Sequence, residues 1–237
     1  MKTRSGEAAF LARYRPADYP RPSVTVDLVI LTVIDAELRV LLIQRKEHPY
    51  KGSWALPGGF VRVGDGDDQG EDLDAAAIRE LGEETGLGPR TKPMYLEQLH
   101  TFGRAGRDPR MRVITVAYFA LVPPDLAPLV VAGGDAAHAE WVAIPSLRKL
   151  AFDHAEIIRT ALTRVAAELD RIASKLVPST FTIPELRSVY TLVTGQPQDP
   201  GNFRRRFNRL VEDGVIEKAA GKRITSSKPA TVYRFTG

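Results

Sequence analysis

Hydrophobic positions in the first 150 residues fall into short stretches that are separated by polar turns. Residues 23–34 and 38–45 are rich in β-branched side chains and are separated only by residues 35–37, so they predict a β-hairpin. The same pattern predicts further strands at residues 94–102, 111–122 and 140–144. Helical patterns lie between and after these strands, and this alternation predicts an α/β sandwich built on a mixed sheet.

Residues 71–87, EDLDAAAIRELGEETGL, predict one amphipathic helix. Gly86 follows its last turn, where helices commonly end in the left-handed conformation. One face of the helix is apolar and suited to a hydrophobic core, and the opposite face is free to carry polar residues. The apolar stripe consists of Leu73, Ala76, Ala77, Ile78, Leu81 and Thr85.

A second helical region is predicted to begin within residues 145–150 and to continue as one long helix over residues 153–175, which contain no proline or glycine. Its apolar stripe either packs onto the sandwich or faces a second subunit or the C-terminal domain. Pro178 breaks the helix and marks a domain boundary. The stripe consists of Ile157, Ala161, Leu162, Val165, Leu169 and Ile172.

The last sixty residues predict two helices followed by a β-hairpin. Thr182 with Glu185 three positions later is typical of a helix start, and Gly195 ends that helix. Asn202 is suited to cap a second helix, which Gly214 stops. Residues 215–218 and 231–235 predict two strands joined by a basic loop at residues 219–229. This order of elements is that of a winged helix-turn-helix.

Charge is unevenly distributed along the chain, although the net charge is only +4. Residues 178–237 hold ten Lys/Arg and five Asp/Glu, whereas residues 1–177 hold 23 and 24. This asymmetry indicates that the C-terminal domain binds nucleic acid.

The composition also excludes several classes of protein. The absence of cysteine excludes disulfides, thiol chemistry and cysteine zinc sites, and it is consistent with a cytoplasmic protein. No apolar run is long enough for a membrane span, and the run at residues 8–12 is too short for the core of a signal peptide. Residues 1–22 are polar and contain three prolines, so they predict a loose arm.

Glu80, Glu83 and Glu84 lie at spacings of three and four, which places their carboxylates on one face of the predicted helix. Like charges in this arrangement repel each other by roughly 0.2–0.5 kcal/mol per pair. One interpretation is a solvated acidic face. The other is a divalent-cation site, because Mg²⁺ prefers oxygen ligands and is commonly shared with substrate phosphates.

Residues 79–87, RELGEETGL, resemble the second half of the Nudix box, REUxEExGU with U aliphatic, at every fixed position. Residues 56–61, LPGGFV, are similar to the lead-in to that box. The spacing departs from the family pattern, because either Glu71 or Asp65 can supply the first glutamate position and both alignments leave six extra residues, taken as 66–71. The acidic, glycine-rich stretch around this insertion predicts a surface loop, and its place beside the helix argues against efficient catalysis.

The whole chain from about residue 24 to residue 235 resembles the Nudix-related transcriptional regulators of NAD metabolism, the NrtR family. The resemblance implies a dimeric repressor of NAD synthesis or salvage genes, whose Nudix domain senses ADP-ribose or a related nucleotide, often without hydrolysing it. It rests on residues 101–103 (TFG), 107–110 (RDPR), 151–154 (AFDH), 181–186 (FTIPEL), 202–204 (NFR) and 228–235 (KPATVYRF).

The resemblance and the chemistry of anion binding together select candidate residues for the nucleotide site. Arginines suit a diphosphate because a guanidinium binds phosphate in a bidentate manner, although a solvated basic turn is the alternative for those at 107–112. Glu80, Glu83 and Glu84 are the candidate ligands of Mg²⁺ and the catalytic residues if the domain is active, with Arg79 orienting a neighbouring carboxylate. The candidate ligand-binding residues are Arg45, Gly58, Gly59, Arg79, Arg107, Arg110 and Arg112.

The C-terminal domain supplies the candidate DNA contacts. Arg and Asn suit guanine and adenine edges, and the second helix of the unit begins with three arginines, although a solubilising helix face is the alternative. His138 and His154 are interpreted as structural or surface residues. The candidate DNA-binding residues are Asn202, Arg204, Arg205, Arg206, Asn208, Arg209, Lys222 and Arg223.

The predicted organisation is therefore an arm (1–22), a Nudix ligand-sensing domain (23–152), a linker helix (153–177) and a winged helix-turn-helix domain (178–237). The first functional hypothesis is a homodimeric repressor that binds double-stranded operator DNA and a nucleotide effector. The alternative hypothesis is a Mg²⁺-dependent ADP-ribose pyrophosphatase with an accessory domain, in which bound metal ions would polarise the diphosphate and activate water.

Overall fold

A computed structural model of the protein describes residues 3–64, 69–86, 95–129, 138–224 and 229–236. The predicted sandwich is present, and its sheet is mixed. Its seven strands are β1 (Ser23–Ile34), β2 (Glu37–Gln44), β3 (Trp54–Ala55), β4 (Gly58–Phe60), β5 (Tyr95–Phe102), β6 (Val113–Leu121) and β7 (Ala139–Ala143).

The strands follow the order β3-β2-β1-β6-β5, with β4 paired to β1 and β7 paired to β2. Strands β1 and β6 are parallel over residues 23–31 and 113–121, whereas the other pairs are antiparallel. Asp35 and Ala36 both have positive φ, 52° and 57°, as the two-residue turn of a tight hairpin requires. The predicted β1–β2 hairpin is therefore confirmed.

Strand β1 is buried on both faces, so the sheet has a core on each side. Val29 and Leu31 belong to one core, and Leu28 and Ile30 belong to the other. Helix α2 (Leu73–Thr85) covers the second face, and helix α3 (His154–Ala167) covers the first. Helices on both faces of one sheet make the three-layer sandwich that the sequence predicts.

The linker differs from the single helix predicted over residues 153–175. Helix α3 ends at Ala167, the short helix α4 (Leu169–Ile172) follows, and a 3-10 turn covers Ala173–Lys175. Leu169 and Ile172 are both buried, so tertiary packing overrides a uniformly helical local preference. The predicted stripe packs against both the sandwich and the C-terminal domain, because residues of all three lie in one hydrophobic cluster.

Two other local predictions were wrong. Residues 145–150 are not helical apart from the 3-10 turn Ile144–Ser146, and Leu150 forms a bridge with Trp54 instead. The N-terminal arm is not uniformly loose, because its proline-free part forms helix α1 (Thr3–Leu11), followed by a 3-10 turn at Pro16–Asp18. Residues 6–22 are nevertheless all exposed, as expected of an arm.

The C-terminal part forms the predicted winged helix. It contains helix α5 (Ile183–Thr194), helix α6 (Pro200–Glu212) and an antiparallel hairpin of β8 (Ile216–Ile224) and β9 (Pro229–Phe235). Strand β8 is longer than predicted, so Lys222 and Arg223 lie in a strand and not in a loop. Phe181 and Phe207 are fully buried and continue the core of the sandwich into this domain.

Within the described parts of the chain, no helix has the length and apolar character that a membrane crossing requires.

Candidate functional site

Helix α2 is shorter at its start than the predicted helix, because it begins at Leu73 and Glu71 lies before it. Gly86 ends it in the left-handed conformation, with φ 66° and its N–H donating to the carbonyl of Gly82, as predicted. The predicted residue 87 lies outside the described part. Ala76, Ala77 and Leu81 are buried, whereas Leu73 and Ile78 are exposed, so the buried stripe is narrower than predicted.

The acidic face of α2 is held by guanidinium groups. Arg79 donates to Glu71 at 2.6 and 3.0 Å, to Glu80 at 2.7 Å and to Glu83 at 3.2 Å. Arg62 donates to Glu83 at 3.2 Å. Arginine therefore neutralises the like-charge repulsion that the sequence suggested a metal would relieve.

The three glutamates of the carboxylate triplet differ in how far they are exposed. Glu80 and Glu84 are buried, whereas Glu83 is largely exposed. Among the described residues, no group of three His, Cys, Asp or Glu side chains is placed to hold a metal ion. The carboxylates of Glu80 and Glu83 contact Arg79 in this arrangement, and Mg²⁺ binding by Glu80, Glu83 and Glu84 stays a prediction.

Two carboxylates that share Arg79 have opposite electrostatic behaviour. Burial raises the pKa of Glu80, although the hydrogen bond from Arg79 opposes the shift. The hydrogen bond from Arg79 lowers the pKa of Glu71 to about 2, although burial opposes that shift. A Cβ on Gly59 would lie 2.2 Å from Glu80 Oε1, so a larger residue there would displace the end of the Glu80 side chain. Because its pKa is lowered, Glu71 is the partner of Arg79 that stays charged at neutral pH.

Arg62, which follows β4, and Glu71, at the end of the insertion, are joined by two hydrogen bonds. The Arg62 N–H donates to Glu71 Oε1 at 2.9 Å, and the Glu71 N–H donates to the Arg62 carbonyl at 3.1 Å. A Cβ on Gly70, where φ is 91°, would lie 2.2 Å from that carbonyl. Glu71, which has the seven intervening residues before Arg79 that the box requires, binds that arginine. The alternative residue 65 and half of the insertion lie outside the described residues, so the choice between the two alignments stays a prediction.

A cavity lies between the start of β1, the end of β2, strand β4, the loop 103–112 and the start of α3. It brings together most of the predicted ligand-binding residues, which come from distant parts of the sequence. Arg79 is not among its lining residues because it contacts the carboxylates of α2, and the exposed Arg112 is not among them either. The predicted residues that line the cavity are Arg45, Gly58, Gly59, Arg107 and Arg110.

The pocket arginines differ in how far their charge is already compensated. Arg110 donates to Asp108 at 2.7 and 3.1 Å, and Arg107 is paired with Asp153 and Asp27. Arg45 has no salt bridge within the described part of the chain, and its Nε donates to the carbonyl of Pro49 at 2.8 Å. Burial, and then repulsion from Arg110, lower the pKa of Arg45. An anionic ligand would remove this repulsion.

The sequence did not identify several residues of the pocket wall. Phe60 is exposed at the mouth, with the Arg110 guanidinium 5.5 Å from its ring centroid. The rings of Phe152 and Tyr50 meet at 4.8 Å. These residues lie in loops and strand ends without a periodic pattern, so only the fold brings them together. The other wall residues that were missed are Thr25, Asp27, Ile43, Leu56, Asp108 and Val113.

His154 also lines the pocket, but its role is structural, as predicted. It is buried, and its Nδ1 accepts a hydrogen bond from the Leu56 N–H at 2.8 Å. Burial lowers the pKa of His154, so the ring is neutral and the proton is on Nε2. His138 is exposed, and its carbonyl accepts from the Gln44 N–H.

The second candidate surface is helix α6 of the winged helix. Asp199 caps it, accepting the Asn202 N–H at 2.7 Å, so the prediction that Asn202 is the cap was wrong. The predicted capping box of Thr182 and Glu185 at the start of α5 is present. Aspartate thus satisfies a free N–H at the start of α6 and leaves the Asn202 side chain exposed.

The arginines of α6 lie on two different faces. The exposed face carries Arg204, Arg205, Asn208 and Arg209, at spacings of four, while Phe203 and Phe207 face the core. Arg206 is turned away from that face, because it forms an ion pair with Asp170 of α4 and its guanidinium lies 4.6 Å from the Tyr190 ring centroid.

The two residues of the β8–β9 wing that were predicted to bind DNA also differ. Lys222 is exposed, whereas Arg223 donates to the carbonyl of Thr180 at 2.8 Å and forms an ion pair with Glu185. Arg223 therefore fixes the wing to the start of α5. The arrangement as a whole defines a class, a Nudix-type sandwich with an arginine-lined pocket joined to a winged helix.

Comparisons with known proteins agree with this class. A model of the NUDIX domain matches residues 24–161, and a model of the NrtR DNA-binding winged helix domain matches residues 173–235. The chain is 39% identical over 235 residues to the ADPR responsive transcriptional repressor NtrR of Acinetobacter baylyi, covering 98% of this chain and 89% of that protein. The chain therefore belongs to the NrtR family of Nudix-domain proteins with a winged helix.

Solved structures of the Shewanella oneidensis NrtR are similar as well. The structure of that protein complexed with a 27mer DNA matches with a TM-score of 0.74 and 32% identity, covering 90% of this chain and 93% of that chain. Its NUDIX domain complexed with ADP ribose matches with a TM-score of 0.55 and 34% identity, covering 67% of this chain and 98% of that chain.

Proposed function

We propose that this protein represses genes of NAD synthesis or salvage, and that ADP-ribose or a related nucleotide releases it from its operator DNA. One observation carries the proposal: a pocket lined by three arginines and a helix with an exposed basic face lie in one chain, and one of its two cores continues from the sandwich into the winged helix. The relatives described above include a repressor that responds to ADP-ribose and a protein bound to DNA.

The nucleotide site of this proposal is the pocket around Arg45, Arg107 and Arg110. The diphosphate would bind beside Arg45, whose charge is the least compensated. Gly58 and Gly59 have no side chains to block its approach. Phe60 and the Phe152–Tyr50 pair supply aromatic surface at the same site, against which an adenine can stack.

The DNA-binding surface of this proposal is the exposed face of α6, with Arg204, Arg205, Asn208 and Arg209 in the major groove, and Lys222 of the wing on the backbone. Asn202 at the start of the helix completes the surface. A single winged helix covers one half-site, so we expect a homodimer on an inverted repeat. Because a repressor acts on DNA, we expect this protein to be located in the cytoplasm.

The test is DNA binding by fluorescence anisotropy, with DNA from upstream of the protein's own gene and matched arginine variants. Arg204→Ala should weaken operator binding by about 1–3 kcal/mol if the side chain contacts a base. Arg206→Ala removes the same charge from the same helix, but from a partly buried side chain that is paired with Asp170, so it is the matched control and should bind nearly like the parent. Equal losses in both variants would contradict this orientation of α6.

The effector is tested on the same complex. Adding ADP-ribose should dissociate parent protein from the operator, and Arg45→Ala should require much more of it. AMP and ribose 5-phosphate, which together contain most of the same groups without the diphosphate link, serve as control ligands. No release by ADP-ribose would mean that the regulatory ligand is a different molecule.

A second candidate function, hydrolysis of ADP-ribose, is favoured by one observation. The Glu71–Arg79 pair has the seven-residue spacing of the Nudix box despite the insertion. The carboxylates of α2 contact arginines, so we expect weak or no turnover. The test is AMP production from ADP-ribose with Mg²⁺. Robust production that Glu83→Gln abolishes would establish an enzyme.

A further inference from the structure

A short segment at the start of α3 touches the pocket wall through three successive side chains, residues 152–154. Asp153 accepts two hydrogen bonds from Arg107 of the loop 103–112, at 2.9 Å from Nε and 2.6 Å from Nη2. His154 accepts the N–H of Leu56, which leads into the glycines of β4. The loop 103–112 and the start of β4 are therefore both attached to the first turn of α3.

The third contact of this segment is aromatic. The Arg45 guanidinium lies 4.9 Å from the Phe152 ring centroid, and the same ring packs edge-on against Tyr50. Phe152 has φ 51°, a left-handed conformation that bulky residues rarely adopt. Strained backbone of this kind persists only where the surroundings impose it, and it is frequent at ligand sites and switches. Here the residue with this backbone conformation is the one whose ring contacts Arg45 and Tyr50.

Asp153 occupies the capping position of α3, but its carboxylate caps no N–H of the helix. Aspartate in this position normally accepts a hydrogen bond from the first turn. Here the carboxylate binds Arg107 instead, and the side chains of the pair are only 3% and 4% exposed. Asp27 also contacts Arg107, at 3.3 Å, from the floor of the pocket. The start of α3 is thus held by the positive charge of Arg107, which lines the pocket.

Helix α3 leads directly to the DNA-binding domain. Ile158, Ala161 and Val165 of α3 lie in one hydrophobic cluster with Leu186 and Val189 of α5. Packed interiors transmit displacement because they contain few voids. A shift at the start of α3 would therefore be felt at α5, which supports α6.

We propose that residues 152–154 couple the nucleotide pocket to the winged helix, and that an anionic group of the ligand competes with Asp153 for Arg107. This inference rests on the proposed function, because it assumes that ADP-ribose and DNA oppose each other. A phosphate beside Arg45 and Arg107 adds negative charge next to the Asp153 carboxylate. The bond between Arg107 and Asp153 weakens, Arg45 moves away from the Phe152 ring, and the start of α3 is released.

The experiment measures coupling, because affinity alone would not separate this role from a structural one. ADP-ribose is titrated by calorimetry into the full-length protein, with and without saturating operator DNA. The ratio of the two dissociation constants is the coupling factor, for which about 5–150-fold is typical of allosteric proteins. Asp153→Asn keeps the size of the side chain and removes its charge. Asp108→Asn is the matched control, since Asp108 is a buried residue of the same loop whose carboxylate accepts its hydrogen bonds from Arg110 and not from α3, among the residues the structure describes.

We expect the coupling factor of Asp153→Asn to fall to within about twofold of one, while Asp108→Asn keeps the parent factor even if its affinity changes. Phe152→Gly is a second variant, because glycine adopts φ 51° freely and lacks the ring, and its coupling should fall as well. If Asp153→Asn does not fold, Phe152→Gly decides. Parent-like coupling in the folded variants would overturn the inference alone, whereas a factor of one in the parent would overturn the proposed function with it.

Discussion

The bond between Glu71 and Arg79 joins the end of the inserted stretch to helix α2, and both side chains are mostly buried. Hydrogen bonds to charged groups contribute about 1.5–3 kcal/mol each when they are removed singly. We expect Glu71→Gln to lower the free energy of unfolding by about 1–3 kcal/mol at pH 7. Urea denaturation of parent and variant measures this difference. Glu83→Gln is the control, because Glu83 contacts the same arginine but is 45% exposed, and should cost less than about 1 kcal/mol.

The same pair predicts a pH dependence. The pKa of Glu71 is about 2 in the folded protein, against an ordinary value of 4.5. A carboxylate with a depressed pKa contributes stability that is present above its unfolded pKa and is lost as the pH falls through the folded value. The difference between parent and Glu71→Gln should therefore be constant above about pH 5 and shrink between pH 4.5 and 2. A difference that grows as the pH falls would contradict this assignment.

At the level of residues, the sequence predicts which side chains suit a binding site better than it predicts which way those side chains point. Arg45, Arg107 and Arg110 were predicted as ligand-binding residues, and the fold brings them to one cavity. Arg206 and Arg223 could not be separated from Arg204 and Lys222, because composition does not tell which face of an element carries a side chain. Their intramolecular partners, Asp170 and Glu185, are distant in sequence, so only the tertiary structure identifies them.

The wing gives a prediction at the level of elements. Lys222→Ala should weaken binding to all DNA sequences and reduce the slope of log K against log salt by about 0.9, the value for one phosphate contact. Arg223→Ala should leave that slope unchanged and lower the melting temperature instead, because Arg223 holds β8 to residue 180 and to the start of α5. Binding measured from 50 to 200 mM salt, with thermal melts alongside, tests both variants. Equal changes of slope would mean that Arg223 leaves Glu185 when DNA binds.

Elements with a clear local pattern were predicted within a few residues. The β-branched stretches of β1 and β2 and the capping box of α5 are examples, because their stabilising interactions lie within the element or between neighbours in sequence. The bend after Ala167 was missed, since no proline or glycine marks it. The burial of Leu169 and Ile172 causes it, and burial depends on residues from other parts of the chain.

At the scale of the whole molecule, the larger of the two hydrophobic cores runs from the sandwich through α3 to Phe181 and Phe207. We therefore expect the protein to unfold in one cooperative transition, and not as two domains in succession. Both tryptophans, Trp54 and Trp141, lie in the sandwich, whereas far-ultraviolet circular dichroism reports on every helix. The two denaturation curves should coincide in urea. A tryptophan transition displaced from the circular dichroism transition would show that the winged helix is an independent unit.

The hydrogen bonds between Arg62 and Glu71 have a practical consequence. Because two hydrogen bonds hold Arg62 and Glu71 together, we expect the chain between them to tolerate a change of length. Loop-closure entropy rises only slowly, by about 0.6 kcal/mol for each doubling of length. A fluorescent protein could therefore be inserted here, close to the nucleotide pocket and away from the DNA-reading helix. Such a fusion would turn a switch made for gene control into a reporter of nucleotide concentration in living cells.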